Sequence, residues 1–482
     1  MEYEVTIGLE VHAQILTQSK MFCGCSARYW DAEPNTHVCP VCMGLPGSLP
    51  VVNRRAIERA ILTGLALNCR IQQDNVISRK NYFYPDLPSS YQRSQFDDPL
   101  CVGGWVELQG EGETRRIGIT RVHIEEDTGK LTHADDGSSL VDYNRAGVPL
   151  MEIVSEPDIT SPEEARRYFQ KLRQILLWIG VNIGDMEKGA LRCDANVSLR
   201  PRGQKEYGSK VEIKNMNSFR AVERALAYEI ERQAKELDAG RKIPQSTRGW
   251  DDVTGKTELQ RIKESSDDYR YFPEPDIPPL HVTAEWVEEL RATLPELPDA
   301  RRARLIEEYG LTPYDAETLT IERGVADYYE RAVAAGRSLG VTPKDVANWA
   351  TGELFRLLKE TDEELADVET RFKPEYIAEV QDLITKGTIT RTNAKEVFEI
   401  SFRTGQAPAE VVAERGLAQI GAGDALTAMA RDVIAANPKA VAEYRGGKVV
   451  AIKFLVGQMM RASKGQANPQ AAQAALEQVL SE

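Results

Sequence analysis

The stretch Ala190–Lys214, ALRCDANVSLRPRGQKEYGSKVEIK, alternates apolar and polar residues on both sides of a central turn. Because successive side chains of a strand point to opposite faces, this alternation predicts a β-hairpin with one apolar face. An ordinary solvated sheet face is one interpretation of the polar side, and a site for a phosphate and a metal ion is the other. The polar face carries Arg192, Asp194, Asn196, Ser198, Lys210, Glu212 and Lys214.

Three other strands carry carboxylate or imidazole groups that favour the binding interpretation. Glu10 and His12 project together from the first predicted strand, where such a pair can share a metal ion or a proton. Glu125 ends a strand within residues 117–130. Glu152 is a single charge among Leu, Met, Ile and Val, and burying a carboxylate is costly unless it is paired or coordinated.

These groups repel one another strongly if one sheet gathers them. Such a cluster is tolerated only around divalent cations or with some members protonated. Oxygen ligands favour magnesium, which usually accompanies nucleotide phosphates. No phosphate-binding P-loop, kinase signature or GxSxG motif occurs in the chain, so we predict a sheet-based, magnesium-dependent phosphoryl-transfer site. The basic residues expected to neutralise phosphate oxygens are Lys80, Arg192, Lys210 and Lys214.

Four cysteines lie in one short segment, as Cys23-Gly-Cys25 and Cys39-Pro-Val-Cys42. Two thiolate pairs on tight turns can surround a zinc ion tetrahedrally, and four sulfur ligands leave no open position for catalysis. The pattern therefore predicts structural zinc, with free thiols or catalytic zinc as the alternatives. The total of seven cysteines is odd, which favours a metal site in a reducing compartment over a disulfide framework.

Residues 79–92, RKNYFYPDLPSSYQ, combine four aromatic residues with two prolines. This composition predicts a rigid loop that either stacks against a base or packs across the core. We expect Lys80 to be functional, because a cation beside a carboxylate cluster has an evident role.

The 482 residues and 42% hydrophobic content predict two to four domains. A net charge of −14 argues against nonspecific coating of nucleic acid, so any RNA contact should be local. Residues 444–476 contain no acidic residue and form either such a contact or a solvated helix face. Their basic residues are Arg445, Lys448, Lys453, Arg461 and Lys464. The N-terminus lacks a signal-peptide pattern and no long apolar run occurs, so we expect a soluble cytoplasmic protein.

The composition changes after about residue 284, from alternating strands to short amphipathic helices with Gly and Pro breaks. We place domain boundaries near Pro295 and Pro408. The predicted fold class is α+β: a mostly antiparallel sheet domain with helices, followed by two all-α domains. Helices are predicted at about 52–67, 161–179 and 218–237.

Eight motifs spread over essentially the whole chain together resemble the B subunit of the glutamine-dependent aspartyl/glutamyl-tRNA amidotransferase. These motifs are IGLEVHAQ (7–14), RKNYFYPDLPSSYQ (79–92), ITRVHIEEDTGK (119–130), DYNRAGVPLMEIVSEPDI (142–159), LRCDANVSLRP (191–201), EIKNMNS (212–218), SDDYRYFPEPDIPPL (266–280) and FLVGQMMRASKGQANP (454–469).

The resemblance implies a cradle-shaped catalytic domain over residues 1–294 that contains the zinc knuckle. It further implies a helical domain over 295–407 and a YqeY-like tRNA-binding tail domain over 408–482. The implied reaction converts misacylated Asp-tRNA(Asn) or Glu-tRNA(Gln) into Asn-tRNA(Asn) or Gln-tRNA(Gln). ATP first phosphorylates the side-chain carboxylate, and ammonia then displaces phosphate.

The resemblance also implies roles for the candidate residues. His12, Glu125 and Glu152 would hold magnesium, with Glu10 beside them ordering the substrates. Asp194 and Glu212 would bind a second ion or accept a proton from attacking ammonium. Basic and polar side chains would bind the ATP phosphates, and Lys80 would lie near the ammonia entrance.

The family obtains ammonia from an amidase-like A subunit, and a small C subunit holds the A and B subunits together. No glutaminase constellation is visible in this chain, in agreement with that division of labour. Two rival classes stay open: an ATP-dependent amide ligase for a free amino acid, and a zinc-stabilised RNA-binding adaptor without chemistry.

Overall fold

The computed structural model describes residues 2–109, 114–262, 269–419, 424–463 and 466–481. The chain divides into two compact units, Met1–Leu297 and Pro298–Glu482. The described strands, all in the first unit, are β1 Tyr3–Gln14, β2 Arg70–Ile71, β3 Asp74–Asn75, β4 Ser78–Asn81, β5 Tyr91–Ser94, β6 Cys101–Val102, β7 Trp105–Gln109, β8 Thr114–Glu126, β9 Lys130–His133, β10 Ser139–Asp142, β11 Pro149–Ser155, β12 Leu191–Pro201, β13 Val211–Lys214, β14 Ser246–Asp251, β15 Lys256–Ile262, β16 Phe272–Pro273 and β17 Leu280–His281.

A large sheet with the strand order β15-β14-β13-β12-β1-β11-β8-β6-β2 organises the first unit, and β7 also pairs with β8. The pairing is antiparallel except between β13 and β14, which run parallel. The predicted hairpin is present as β12 and β13, joined by residues 202–210. β1 lies between β12 and β11, so the strand that carries Glu10 and His12 is a direct neighbour of the predicted hairpin and of the strand that carries Glu152.

The apolar face of this sheet is the core of the first unit. Ile7, Leu9 and Val11 are fully buried, as the alternation in β1 predicted. Helix residues such as Phe169 and Val222 belong to the same apolar cluster, so the helices cover one face and leave the polar face for other uses. The helices of the first unit are α1 Arg54–Ala66, α2 Pro162–Trp178, α3 Phe219–Asp238 and α4 Ala284–Thr293.

The predicted helix starts follow from local capping. The hydroxyl of Ser161 accepts from the backbone N–H of Glu164, and Pro162 occupies the first helical turn of α2. Ser218 caps α3 in the same way through the N–H of Ala221. These caps position two long helices against the sheet.

The regular elements described in the second unit are all helices, which confirms the α+β class. Two apolar clusters occur in it, one within residues 305–412 and one within 426–480. The predicted three-domain division at 294 and 407 stays a prediction. None of the described helices is long and apolar enough to cross a membrane. The helices are α5 Pro298–Tyr309, α6 Pro313–Leu319, α7 Arg323–Gly336, α8 Pro343–Trp349, α9 Phe355–Thr361, α10 Leu365–Val368, α11 Pro374–Thr385, α12 Arg391–Thr404, α13 Pro408–Arg415, α14 Asp424–Ala436, α15 Pro438–Arg445, α16 Ala451–Ala462 and α17 Pro469–Ser481.

Candidate active site

One row of side chains crosses four neighbouring strands on the polar face of the sheet. In the pairing register, His12 of β1 lies between Arg192 of β12 and Glu152 of β11, and Glu152 lies opposite His123 of β8. Residues directly opposite one another in a sheet share a face and lie within side-chain contact. Strand order thus brings together groups that are far apart in sequence.

His12, Glu125 and Glu152 form a compact group. The Nε2 atom of His12 is 3.7 Å from a carboxylate oxygen of Glu125 and 3.5 Å from one of Glu152. One potential ligand atom from each residue lies within 4.8 Å of the other two. Two ligands of one magnesium ion, each at about 2.0–2.1 Å, lie at most about 4.2 Å apart, and both His12 distances satisfy this limit. We call these three residues the metal-fitting cluster.

The electrostatics of the metal-fitting cluster centre on His12. Burial acts to lower the pKa of His12, but the hydrogen bond to Glu152 and the charges of Glu152 and Glu125 outweigh it and raise this pKa to about 9. Burial acts to raise the pKa of Glu152, yet the charge of His123 and the hydrogen bond from His12 hold it well below its usual range. The two carboxylates therefore stay ionised, neutralised either by imidazolium or by a cation that displaces its proton.

His123 is a residue of this site that is not among the predicted site residues. It is buried, and its Nε2 atom lies 3.4 Å from Glu152 and 3.8 Å from Glu125. Its Nδ1 atom accepts a hydrogen bond of 3.3 Å from Arg121, which orients Nε2 toward the carboxylates. The signal was available in the sequence, because His123 shares a strand face with Glu125.

Lys80 lies beside the metal-fitting cluster, within a group of aromatic rings. Its Nζ atom is 4.9 Å from the ring centroid of Tyr269 and 5.9 Å from that of Tyr82. Burial acts to lower the pKa of Lys80, but the charge of Glu125 and other anionic neighbours raise it above its usual value. The ammonium group is therefore held charged next to the carboxylates.

The prediction of a loop over residues 79–92 is wrong at both ends, because Lys80 lies on β4 and Tyr91 on β5. A network of ion pairs fixes β4. Arg79 donates to both carboxylate oxygens of Glu274, at 2.9 and 2.6 Å. The guanidinium group of Arg93 lies 3.2 Å from the carboxylate of Glu274 and 3.0 Å from that of Glu126, so it connects the two. Arg79 and Lys80 point to opposite sides of β4, so anchoring one side directs Lys80 toward the active face.

A second acidic group lies on β12 and β13. Lys214 places its Nζ atom 2.8 Å from Asp194 and 3.2 Å from Glu212, and Thr247 donates to Glu212 at 2.8 Å. We call Asp194, Glu212 and Lys214 the lysine-closed group. A cavity of about 310 Å³ has His12, Asp194 and Lys214 among its lining residues, and it therefore links the two acidic groups.

The other predicted phosphate ligands have partners within the protein. Arg192 forms a two-point ion pair with Asp127, at 3.0 and 3.1 Å, and Gln14 donates to the same carboxylate at 2.8 Å. Asp127 and Gln14 are residues of this site that the sequence pattern did not single out. The same polar face carries the predicted residues Glu10, Asn196, Ser198 and Lys210. Asn196 donates a hydrogen bond of 2.8 Å to Glu10, and the Nζ atom of Lys210 is 3.9 Å from the Glu10 carboxylate. Ser198 is buried opposite Thr6.

The four cysteines of the predicted zinc knuckle come together. The sulfur atoms of Cys23, Cys25, Cys39 and Cys42 lie within 4.8 Å of one another. Cys42 accepts hydrogen bonds from the backbone N–H of Cys39, at 3.2 Å, and from Lys20, at 3.6 Å. The hydrogen bond from Cys23 is the main cause that lowers the pKa of Cys42 to about 5. Such a set of donors fits a tetrahedral zinc ion.

The basic segment of the second unit is exposed. Arg445, Lys448, Lys453 and Arg461 all lie at the surface, and Lys453 and Arg461 share one face of α16. Lys448 pairs with Glu443 at 2.9 Å. Lys464 lies outside the described residues.

The chain is similar to known proteins over nearly its whole length. The family model described as "GatB/GatE catalytic domain" matches residues 5–288, and the model described as "GatB domain" matches residues 327–480. A Roseiflexus sp. (strain RS-1) protein, named as the B subunit of aspartyl/glutamyl-tRNA(Asn/Gln) amidotransferase, is 74% identical over 100% of this chain and 99% of that protein. A protein of the same name from Roseiflexus castenholzii is 73% identical over 100% of this chain and 99% of that protein. Another, from Herpetosiphon aurantiacus, is 59% identical over 99% of this chain and 98% of that protein.

Proposed function

The chain belongs to the family of aspartyl/glutamyl-tRNA(Asn/Gln) amidotransferase B subunits, and from this premise we propose its reaction and the residues that perform it. The protein is a carbon–nitrogen ligase. It converts the side-chain carboxylate of a misattached Asp or Glu, on tRNA(Asn) or tRNA(Gln), into an amide with consumption of ATP. The observation that carries the assignment of the site is the metal-fitting cluster in the middle of the polar sheet face.

The reaction has two chemical steps, because a free carboxylate would have to expel oxide. One carboxylate oxygen attacks the γ-phosphorus of ATP, the bond to the β,γ-bridging oxygen breaks, and ADP leaves. The resulting acyl phosphate reacts with ammonia: a C–N bond forms, the C–O bond to phosphate breaks, and a proton leaves the nitrogen. The protein must therefore bind phosphates, exclude water and accept a proton.

His12, Glu125 and Glu152 are the residues that fit a magnesium ion, since they supply two carboxylates and an imidazole around one point. When bound, magnesium neutralises charge on the transferring phosphoryl group. His123 orients both carboxylates through its Nε2 atom. Glu10, held by Asn196, lies on the same strand face and orders the substrates.

The basic residues divide between the two sides of the metal-fitting cluster. Lys210 and Lys214, at the β13 side, are positioned for ATP phosphates, together with the polar groups of Asn196 and Ser198. Arg192 donates two hydrogen bonds to Asp127 and one to the carbonyl of Gly189, so two of its five N–H donors are left for a phosphate oxygen. Lys80, on the other side, neutralises the carboxylate to be phosphorylated and lies near the ammonia entrance. Asp194 or Glu212 accepts the proton released from ammonium or holds a second ion.

Ammonia comes from a partner. We propose that an amidase-like A subunit releases it from glutamine and that a small C subunit holds the two chains together in the cytoplasm. The name of the relatives, a B subunit, supports an assembly of several chains. The purified chain alone should then use ammonium but not glutamine.

The remaining regions have supporting roles. The four-sulfur cluster would hold a structural zinc ion, which would rigidify the segment next to β1. Residues 1–294 form the catalytic domain, 295–407 a helical domain and 408–482 a YqeY-like tail domain. The tail contacts tRNA through the exposed Arg445, Lys448, Lys453 and Arg461, and through Lys464.

The experiment that tests the proposal is an ATP hydrolysis assay on the chain co-expressed with its partner subunits. Hydrolysis should require magnesium and misacylated tRNA together, and amide should form when glutamine is added. Hydrolysis with a free amino acid instead of tRNA would indicate an amide ligase. Absence of hydrolysis together with tRNA binding would indicate an adaptor, and deletion of 408–482 should weaken only the reaction that depends on tRNA.

A further inference from the structure

A stacked pair of aromatic rings, the exposed Phe96 and the half-buried Tyr271, lies next to the active site. The rings of Phe96 and Tyr271 are 4.2 Å apart between centroids and only 8° from parallel. Phe96 nevertheless exposes 53% of its surface to solvent. Large exposed aromatic side chains in a pre-stacked arrangement are typical of binding surfaces, since core packing does not require them.

The stacked pair continues toward the metal-fitting cluster. Tyr269 meets Tyr271 edge-on, with 6.2 Å between ring centroids, and Lys80 lies over the ring of Tyr269. Burial is the main cause that raises the pKa of Tyr271, and the charges of Lys80, Glu125 and Glu152 also act on its hydroxyl. Phe96, Tyr271 and Tyr269, which we call the aromatic strip, therefore lead from solvent to the reacting groups.

The two sides of the metal-fitting cluster differ in chemistry. On the β13 side, Lys210 and Lys214 offer ammonium groups. On the β8 side, β5 is joined to β8 by hydrogen bonds from Arg93 and Gln92 to Glu126, and the aromatic strip begins two residues after β5 ends. Phosphate groups favour the first side, and planar apolar surfaces favour the second.

We propose that the aromatic strip is the stacking surface for the 3′-terminal nucleobase of the aminoacylated tRNA, while ATP enters from the β13 side. This inference rests on the proposed function. The misattached amino acid is esterified to the terminal ribose, so the base must lie close to the carboxylate that reacts. Stacking needs no basic residues, which suits a chain with a net charge of −14.

The arrangement also explains how different tRNAs are handled at this point. Every tRNA ends in the same 3′-terminal adenosine, so one stacking surface can hold the acceptor end of different tRNAs. The carboxylate then reaches Lys80 and the metal-fitting cluster. Discrimination between tRNAs is left to contacts elsewhere.

The test is a binding cycle on the complex with its partner subunits, using intact tRNA and the same tRNA without its 3′-terminal nucleotide. In the wild type, removal of that nucleotide should weaken binding about 5- to 150-fold. Phe96→Ala should weaken binding of intact tRNA by a similar factor and make removal of the nucleotide nearly without effect. Phe96→Trp should restore the wild-type pattern, because a larger planar ring still stacks.

Tyr207→Ala is the matched control. Tyr207 is exposed and contacts Arg200 of β12 rather than the aromatic strip, so tRNA affinity should not change. Independent, additive effects of Phe96→Ala and nucleotide removal would overturn the inference. So would an increase in the KM for ATP with unchanged tRNA affinity, which would assign the strip to the adenine of ATP.

Because the cycle measures binding without turnover, it separates this inference from the proposed function. A wild-type complex that binds tRNA through the terminal nucleotide and Phe96, yet forms no amide, would contradict the proposed function and leave the aromatic strip intact. Amide formation with additive binding effects would do the reverse.

Discussion

The metal-fitting cluster and the lysine-closed group are both pairs of carboxylates on one sheet face, but they are neutralised differently. Glu125 and Glu152 face His12, whose imidazole can lose its proton when a cation binds. Asp194 and Glu212 face Lys214: burial acts to lower the pKa of its ammonium group, but the charges of the two carboxylates raise it well above the usual value. A metal ion can therefore replace the imidazolium of His12 as the positive charge beside Glu125 and Glu152. Asp194 and Glu212 already have a permanent positive charge beside them, the ammonium group of Lys214.

This difference bears on the two roles that the sequence left open for Asp194 and Glu212. A second metal ion would have to displace or share space with Lys214. Proton acceptance or positioning of Lys214 needs no such displacement. The geometry of the lysine-closed group thus favours proton acceptance by Asp194 or Glu212, with Lys214 held in place for a phosphate, over binding of a second ion. Substitutions in the two groups can test this difference.

Glu152→Gln should have the largest effect. It removes one charge of the metal-fitting cluster while keeping its shape, and we expect phosphorylation and amidation to fall about 1,000-fold. Rates of ADP and amide formation at saturating magnesium measure this. Glu163→Gln, an exposed carboxylate of α2, is the control that should retain wild-type rates. Wild-type rates in Glu152→Gln would remove the assignment.

A third carboxylate, that of Glu274, is neutralised by two arginine side chains. Glu274 is buried between Arg79 and Arg93, and although burial acts to raise its pKa, hydrogen bonds from Arg79 hold it below the usual value. Its stabilisation is therefore present above the pKa of an unfolded glutamate, about 4.3, and is lost as pH falls through the lower folded pKa.

Glu274→Gln should accordingly lower the free energy of unfolding by about 3 kcal/mol at pH 7. The difference from the wild type should shrink as pH falls below about 4. Denaturant unfolding at several pH values measures both. A difference that is independent of pH would show that the charge of Glu274 is not responsible.

Lys214→Gln should convert the lysine-closed group into one that resembles the metal-fitting cluster. Without the ammonium group, Asp194 and Glu212 repel each other, and we expect weak binding of an additional divalent cation. Activity should fall about 10- to 100-fold, because a phosphate-binding cation is lost. Manganese titration followed by electron paramagnetic resonance counts the bound ions. If the wild type already binds two ions, the contrast between the two groups is wrong.

The smallest expected effect is stabilisation by magnesium. A magnesium concentration ten times its Kd should stabilise the wild type by about 1.4 kcal/mol, which appears as a rise of a few degrees in Tm. Glu152→Gln should lose this rise, and Glu212→Gln should keep it. Differential scanning fluorimetry measures all three proteins. Equal responses from both variants would mean that the metal-fitting cluster does not bind the ion.

Much of the site was predictable from local pattern. The alternation in β1, β8 and β12 assigned Glu10, His12, Glu125 and Asp194 to polar faces, because side-chain direction in a strand depends only on parity. The same parity argument includes His123, which was overlooked. The four cysteines were predictable because both pairs lie on tight turns of one segment.

Other contacts had no signal in the sequence. Arg192 pairs with Asp127 over 65 positions, and Arg79 pairs with Glu274 over 195. The expectation that Arg192 is available for phosphate is therefore qualified by a partner that spacing does not reveal. Such pairs depend on which strands and loops become neighbours, and single-sequence patterns do not specify neighbours.

Residue order alone was sufficient for the α+β class, the polar strand faces, the cysteine knuckle and the resemblance to an amidotransferase, since each depends on local periodicity or on long contiguous motifs. Folding decided the strand order β12-β1-β11-β8, and with it that His12 faces Glu152 while Lys214 lies between Asp194 and Glu212. The physical reason is that strand pairing joins distant segments through burial of their shared apolar face. The chemistry on the opposite face follows from that packing.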